Sequence, residues 1–247
     1  LNDAFPGLVG AIRGGSRCFS LWHPAARLEG LTLARGRAWG DEPSAPLLIT
    51  GRPQLINLSA LVQRHAERGG GVFLAAGGTV RDCRLVENEA KSGGGVSFNG
   101  AGTVEDCEFV GNQGGGAYGF HGGEVLRSTF TGNSAGIDGI DVRVRDCAVV
   151  GNPGRGAGIQ GLAGLVTGST FASNHLGILV TGGTRLSDSL VQGNTGGGVR
   201  CQTGSVVSNC IVRANAPWGL DLVGGAATDC RIEANESTNA NGAGVLL

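Results

Sequence analysis

A motif that returns every twenty-one residues or so limits what this chain can fold into more than any other feature. Val80-Arg-Asp-Cys83-Arg-Leu85-Val-Glu-Asn88 aligns with Val104-Glu-Asp-Cys107-Glu-Phe109-Val-Gly-Asn112. The same frame recurs up to Ala227, Cys230, Ile232 and Asn235. Its eight asparagines, Asn88, Asn112, Asn133, Asn152, Asn174, Asn194, Asn215 and Asn235, lie 24, 21, 19, 22, 20, 21 and 20 residues apart. A period of this length marks a solenoid, in which each repeat is one turn of chain stacked on its neighbours.

A second block follows each asparagine after a variable gap. It reads Gly, an apolar residue, any residue, and often another apolar one, as in Gly71-Val72-Phe73-Leu74 and Gly198-Val199-Arg200-Cys201. This block decides between two solenoids. Val-x-x-Cys-x-Leu-x-x-Asn also fits the leucine-rich-repeat template, but that fold spends its other half on a helix or 3₁₀ segment. Here that half carries triplets such as Gly93-Gly94-Gly95 and Gly196-Gly197-Gly198. Glycine costs ~1 kcal/mol per site in a helix, and the alternation that follows is that of short strands. The expectation is an all-β, right-handed parallel β-helix of about ten rungs. Eight come from the asparagine frame, one from Leu55–Leu74 with Arg64 in place of Asn, and one from Leu28-Glu-Gly-Leu31-Thr-Leu33. Residues 1–54 read as an atypical capping segment with an insertion around Trp39 to Pro53, and residues 55–247 as one continuous array.

Composition narrows the classes. Of 247 residues 48 are Gly, more than twice the average share of about 7%, yet no third-residue register suggests collagen. A hydrophobic content of 40% is enough for a core. The net charge of −1, with one lysine at Lys91, argues against a nucleic-acid partner, which calls for a basic surface. No apolar run approaches the ~18 residues of a membrane span. The sequence starts at Leu1 and holds no Met, which reads as a processed or excised piece.

Equivalent side chains should stack into columns. The asparagines are read as an inward amide ladder. Cys83, Cys107, Ser128, Cys147, Ser169, Ser189, Cys210 and Cys230 form a column of small residues at a tight interior corner. Ser replacing Cys there, and the lack of Cys-x-x-Cys, speak for stacked free thiols and against a metal or a disulfide framework. Cys201 and Cys210 come nearest to a bridge, and Cys18 has no evident partner. The residue between the paired apolar positions should face solvent: Phe73, Ser97, Tyr118, Asp141, Gln160, Leu179, Arg200, Asp221, Leu246. Within it Tyr118, Asp141 and Gln160 are the candidate binding residues, with Arg143, Arg145, Asp138 and His121 nearby. No cofactor is expected.

Phe109-Val-Gly-Asn112, Phe130-Thr-Gly-Asn133 and Phe171-Ala-Ser-Asn174 match a Phe-x-x-Asn motif, and Gly115-Gly116-Ala117 approaches Gly-Gly-Ala-(Ile/Val). Together they resemble the repeats of chlamydial polymorphic outer-membrane proteins and of large bacterial surface proteins with right-handed β-helix repeats. The resemblance runs from Arg17 to Leu247. It implies the pectate-lyase-like superfamily and an exported bacterial protein, extracellular or on the cell surface.

That superfamily also contains polysaccharide lyases and glycoside hydrolases, so an enzyme is the rival reading. The Asp-Asp pair and Gly-His-Gly of polygalacturonase-like enzymes are missing; His121 follows Phe120. A lyase needs a carboxylate cluster and a basic residue, for which Asp138, Asp141 and Arg143 are the only loose set. The expectation is therefore a non-catalytic structural or adhesive display module whose partner is carbohydrate or another protein surface. The block Gly244-Val245-Leu246-Leu247 is ordinary rung sequence, so end-to-end association is expected there.

Overall fold

The computed structural model describes residues 19–21, 23–38, 48–49, 68–237 and 244–246. Among them there is no helix, and every pairing between named strands is parallel. Three sheets run the length of the rod, one of eleven strands and two of nine, beside a short pair formed by Arg37–Ala38 and Glu89–Ala90. Each turn of chain places one strand in each long sheet, as in Val96–Asn99, Gly102–Glu105 and Glu108–Val110. Nine three-stranded turns follow one another, and Val245–Leu246 starts the next. Leu48–Ile49 departs from this order: it pairs on the far side of Phe19–Leu21, at the N-terminal edge of the first sheet. The expected rung at Leu55–Leu74 is described only for its last strand, Val72–Leu74, and Arg64 lies outside the described residues, as do Cys18 and most of the insertion.

Alternation builds the core. The first sheet sends in two residues per turn, such as Val96 and Phe98, and the other sheets one each, such as Val104 and Phe109; all four are completely buried. Each such side chain contributes ~1.5–3 kcal/mol on burial. Successive turns superpose like on like, so Phe109 and Phe130 stack with ring centroids 4.4 Å apart and planes 8° apart.

The corners repeat as faithfully as the strands. Between the second and third sheets the residue before each Cys or Ser is left-handed, with Asp82, Asp106, Asp146, Asp188 and Asp229 all near φ +50°. Aspartate tolerates this region better than most residues. The Cys or Ser that follows donates back across the bend, as in Ser128 Oγ to Leu126 O (2.7 Å), Cys147 Sγ to Arg145 O (3.2 Å) and Ser169 Oγ to Thr167 O (2.9 Å). A thiol and a hydroxyl close the same corner, which is why they interchange.

The asparagine column is continuous from Asn88 to Asn235. Asn112 donates from its backbone N–H (2.9 Å) and its Nδ2 (2.8 Å) to Asn133 Oδ1, and its Nδ2 also reaches Leu85 O (2.9 Å). The pattern passes down through Asn152, Asn174, Asn194 and Asn215. At the top Gly36 N–H donates to Asn88 Oδ1.

Candidate functional site

The outward column is where structure and expectation part. The register pairs Ser97 with Tyr118, Tyr118 with Asp138, Asp138 with Gly158, and Gly158 with Leu179. Asp141 and Gln160, expected beside Tyr118, are therefore displaced from its column. The working block is Gly136-Ile137-Asp138, with Ile137 buried, and not Gly139-Ile140-Asp141. Asp141 sits in the next turn with φ +57°. At the N-terminal end of the column, Phe73 and Ser97 are fully buried although they lie in outward positions; that end of the face is not solvated as expected.

Two recesses divide the candidate residues. A groove of about 240 Å³ lies on the outer face of the first sheet, lined by Tyr118, Asp138, Arg155, Gln160 and Leu179 over Gly139 and Gly158. Arg155 Nε binds Asp138 Oδ1 at 2.8 Å. Burial pushes the Asp138 carboxyl above the usual carboxylate range, and the Arg155 guanidinium opposes that. Gly158 lies beneath them, where a Cβ would come within 2.6 Å of Asp138 Oδ1 and 2.7 Å of Arg155 Nε and push both side-chain ends aside. The guanidinium of Arg68 lies 5.7 Å from the Tyr118 ring and 4.7 Å from that of Phe120.

The second recess, of about 520 Å³, opens at the corner between the first and second sheets. His121, Glu124, Asp141 and Arg143 line it. Asp141 Oδ1 accepts from Ala163 N–H at 2.9 Å, Arg143 Nη1 stands 3.6 Å from Glu124 Oε1, and the His121 ring packs edge-on against Phe120. His121 thus joins Asp141 and Arg143 rather than Asp138. Arg145 is paired in register with Leu126 and Thr167 in the second sheet. Sequence reasoning passed over Arg155 and Glu124. Arg155 could have been found from the spacing of Asn and Gly: in most turns the Gly lies three or four positions after the Asn, which selects Gly136 and Gly156.

The described cysteines, Cys83, Cys107, Cys147, Cys201, Cys210 and Cys230, are all free thiols. The Cys201–Cys210 bridge does not form. Cys201 Sγ instead donates to Ser205 O at 3.3 Å. Burial pushes the Cys147 and Cys210 thiols up to about 11. Cys83 differs: its neighbour in the column, the Cys107 thiol, lowers it, and the same neighbour together with burial pushes Cys107 up. Among the described residues no three His, Cys, Asp or Glu side chains gather as a metal site.

Residues 137–247 are similar to the family described as right handed beta helix region, which supplies the hand of the coil. No curated protein matches the chain.

Proposed function

We propose that this right-handed parallel β-helix is a non-catalytic display module, exported to the bacterial surface or beyond, which contacts extended carbohydrate along the outer face of its first sheet. The carrying observation is how the candidate carboxylates are employed. Asp138 is bound to Arg155, Asp221 to Arg200, Glu108 to Arg84 and Asp106 to Arg127, each pair linking one turn to the next. Asp141 orders the turn at Ala163. The exposed pairs among these contribute little stability individually, but all four occupy groups that an acid–base mechanism would need free. What remains on the face is contact surface: a tyrosine, a flat glycine floor and a guanidinium.

The second reading, a lyase or glycoside hydrolase, draws on the corner recess, where His121, Glu124 and Asp141 stand around one space. One experiment separates the two. Incubated with uronic-acid and neutral polysaccharides, with and without calcium, the protein should release neither unsaturated nor reducing ends, while Tyr118→Ala and Arg155→Ala should weaken retention on the polysaccharide it binds. Release that disappears in Asp141→Ala would overturn the display reading in favour of the enzyme.

Partner contact at the C-terminal edge belongs to the same proposal. Ala227 and Ile232 are only half-buried where their counterparts Val207 and Val212 are completely buried, and Val223 and Val245 are exposed. Among the described residues no strand lies beyond these, and strand edges left so pair with other chains. Light scattering should show association that rises with concentration and is reduced in Val245→Lys; a strict monomer throughout would refute it.

A further inference from the structure

We propose that Cys83 and Cys107 form a two-coordinate site for a soft monovalent cation of the Cu⁺ or Ag⁺ type. The two residues occupy the same corner position on consecutive turns. Successive turns of parallel strands lie ~4.8 Å apart. Stacked sulfurs at that spacing are separated by about twice a metal–thiolate bond of ~2.3 Å, the length found at zinc. A linear S–metal–S unit therefore fits the column without moving the backbone. A disulfide fits it badly, because parallel Cβ vectors hold the Cβ atoms farther apart than the ~3.5–4.5 Å a disulfide needs. Soft thiolates select cations of this class.

This pair is distinct from the other thiols. Cys83 Sγ donates to Arg81 O at 3.0 Å and Cys107 Sγ to Glu105 O at 3.1 Å, so the two thiols turn the same way on consecutive turns. Cys147 has Ser128 and Ser169 as its column neighbours. Cys210 and Cys230 also stack on consecutive turns, but Cys230 is only half-buried, in the last three-stranded turn. An approach route also exists. Both cysteines line a recess of about 550 Å³ at the corner of the second and third sheets. Around it Arg81 is paired with Asp82, Arg84 with Glu108 and Arg127 with Asp106, so the charges balance and the two sulfurs alone select the ligand. Binding exchanges two S–H protons for one cation, gives a bis-thiolate complex of charge −1 and releases both protons to solvent. No electron is transferred.

The test uses the reduced full chain under anaerobic conditions, with Cu⁺ supplied in competition with a chromophoric Cu⁺ chelator. One Cu⁺ per chain is expected. Cys83→Ser and Cys107→Ser should each weaken binding by more than about a hundredfold, beyond the upper end of what losing an outer-shell partner costs. Cys147→Ser should leave it unchanged. These variants should fold, since serine already closes this corner at Ser128, Ser169 and Ser189, and a thermal melt checks that. As a second readout, one equivalent of Ag⁺ should protect Cys83 and Cys107, and no other cysteine, from alkylation mapped by mass spectrometry. Absence of binding, equal binding by the Cys83→Ser/Cys107→Ser double variant, or protection falling on Cys201, Cys210 or Cys230 would overturn the proposal.

Discussion

Asn133→Ala should destabilise the fold by about 3–5 kcal/mol, reflecting several buried groups orphaned at ~1–3 kcal/mol each. Asn133 Oδ1 accepts from the backbone N–H and the Nδ2 of Asn112 at 2.9 and 2.8 Å. Its own Nδ2 donates to Phe109 O at 3.1 Å and to Asn152 Oδ1 at 3.2 Å. The site is completely buried. Alanine leaves a main-chain donor, an amide donor and a main-chain acceptor without partners. Asn133→Asp keeps the acceptor, removes the donors and buries a charge, so it should be no milder. Asn235→Ala is the internal contrast. It ends the described column and is half-buried, so water replaces the lost partners and the cost should fall to about 1 kcal/mol. Urea unfolding measures the difference, provided that the m-value is unchanged. Because a solenoid need not melt as one unit, amide exchange at residues 109–152 should accompany it. A loss under about 1 kcal/mol at Asn133, or an equal loss at Asn235, would mean that the buried ladder does not hold the turns together.

Gly177→Ala should cost about 3 kcal/mol, in the overpacking range, for a reason unrelated to glycine's backbone freedom. A Cβ on Gly177 would stand 2.5 Å from Gly198 O, 2.6 Å from Val191 Cγ1 and 2.8 Å from Asn194 Nδ2. The same crowding recurs down the column: a Cβ at Gly156 would meet Gly177 O at 2.4 Å, and one at Gly198 would meet Gly219 O at 2.3 Å. Each turn presses its backbone against the next just after the asparagine, and no side chain fits between them. Gly132→Ala supplies the control. Gly132 has φ +64° and open space around its would-be Cβ, so only the left-handed backbone penalty of ~1–2 kcal/mol applies. Ala214 and Ala234 already hold the equivalent corner at φ +51° and +49°. Chemical denaturation of the two variants should therefore separate them by at least about 1 kcal/mol; equal losses would mean that the close approach at Gly177 relaxes cheaply.

Much of the fold is legible in the chain alone because the constraint is local and repeated. Alternation within Val96-Ser97-Phe98 and within Glu108-Phe109-Val110 sets strand and inward face together. The Asp-Cys and Gly-Asn pairs mark the corners, and eight asparagines at near-constant spacing mark the turn length. The candidate site was less legible. Tyr118 and Gln160 do line one groove, and Asp141 and Arg143 one recess, but these are two different places.

What the amino-acid order determined by itself is the parallel coil, its turn length, its buried asparagine column and its column of interchangeable thiols and hydroxyls, since each follows from residues within one turn. The tertiary structure decided how turns of unequal length align. Gly136-Ile137-Asp138 and Gly139-Ile140-Asp141 satisfy the Gly-apolar pattern equally well; the spacing from Asn133 favours the first, and the stacking of Ile137 between Ala117 and Ala157 fixes it. It also decided that Phe73 and Ser97 are covered, and that Cys83 and Cys107 stand together at one recess. These are relations between residues far apart in the chain, governed by loop lengths and packing, and a twenty-one-residue pattern carries no record of them.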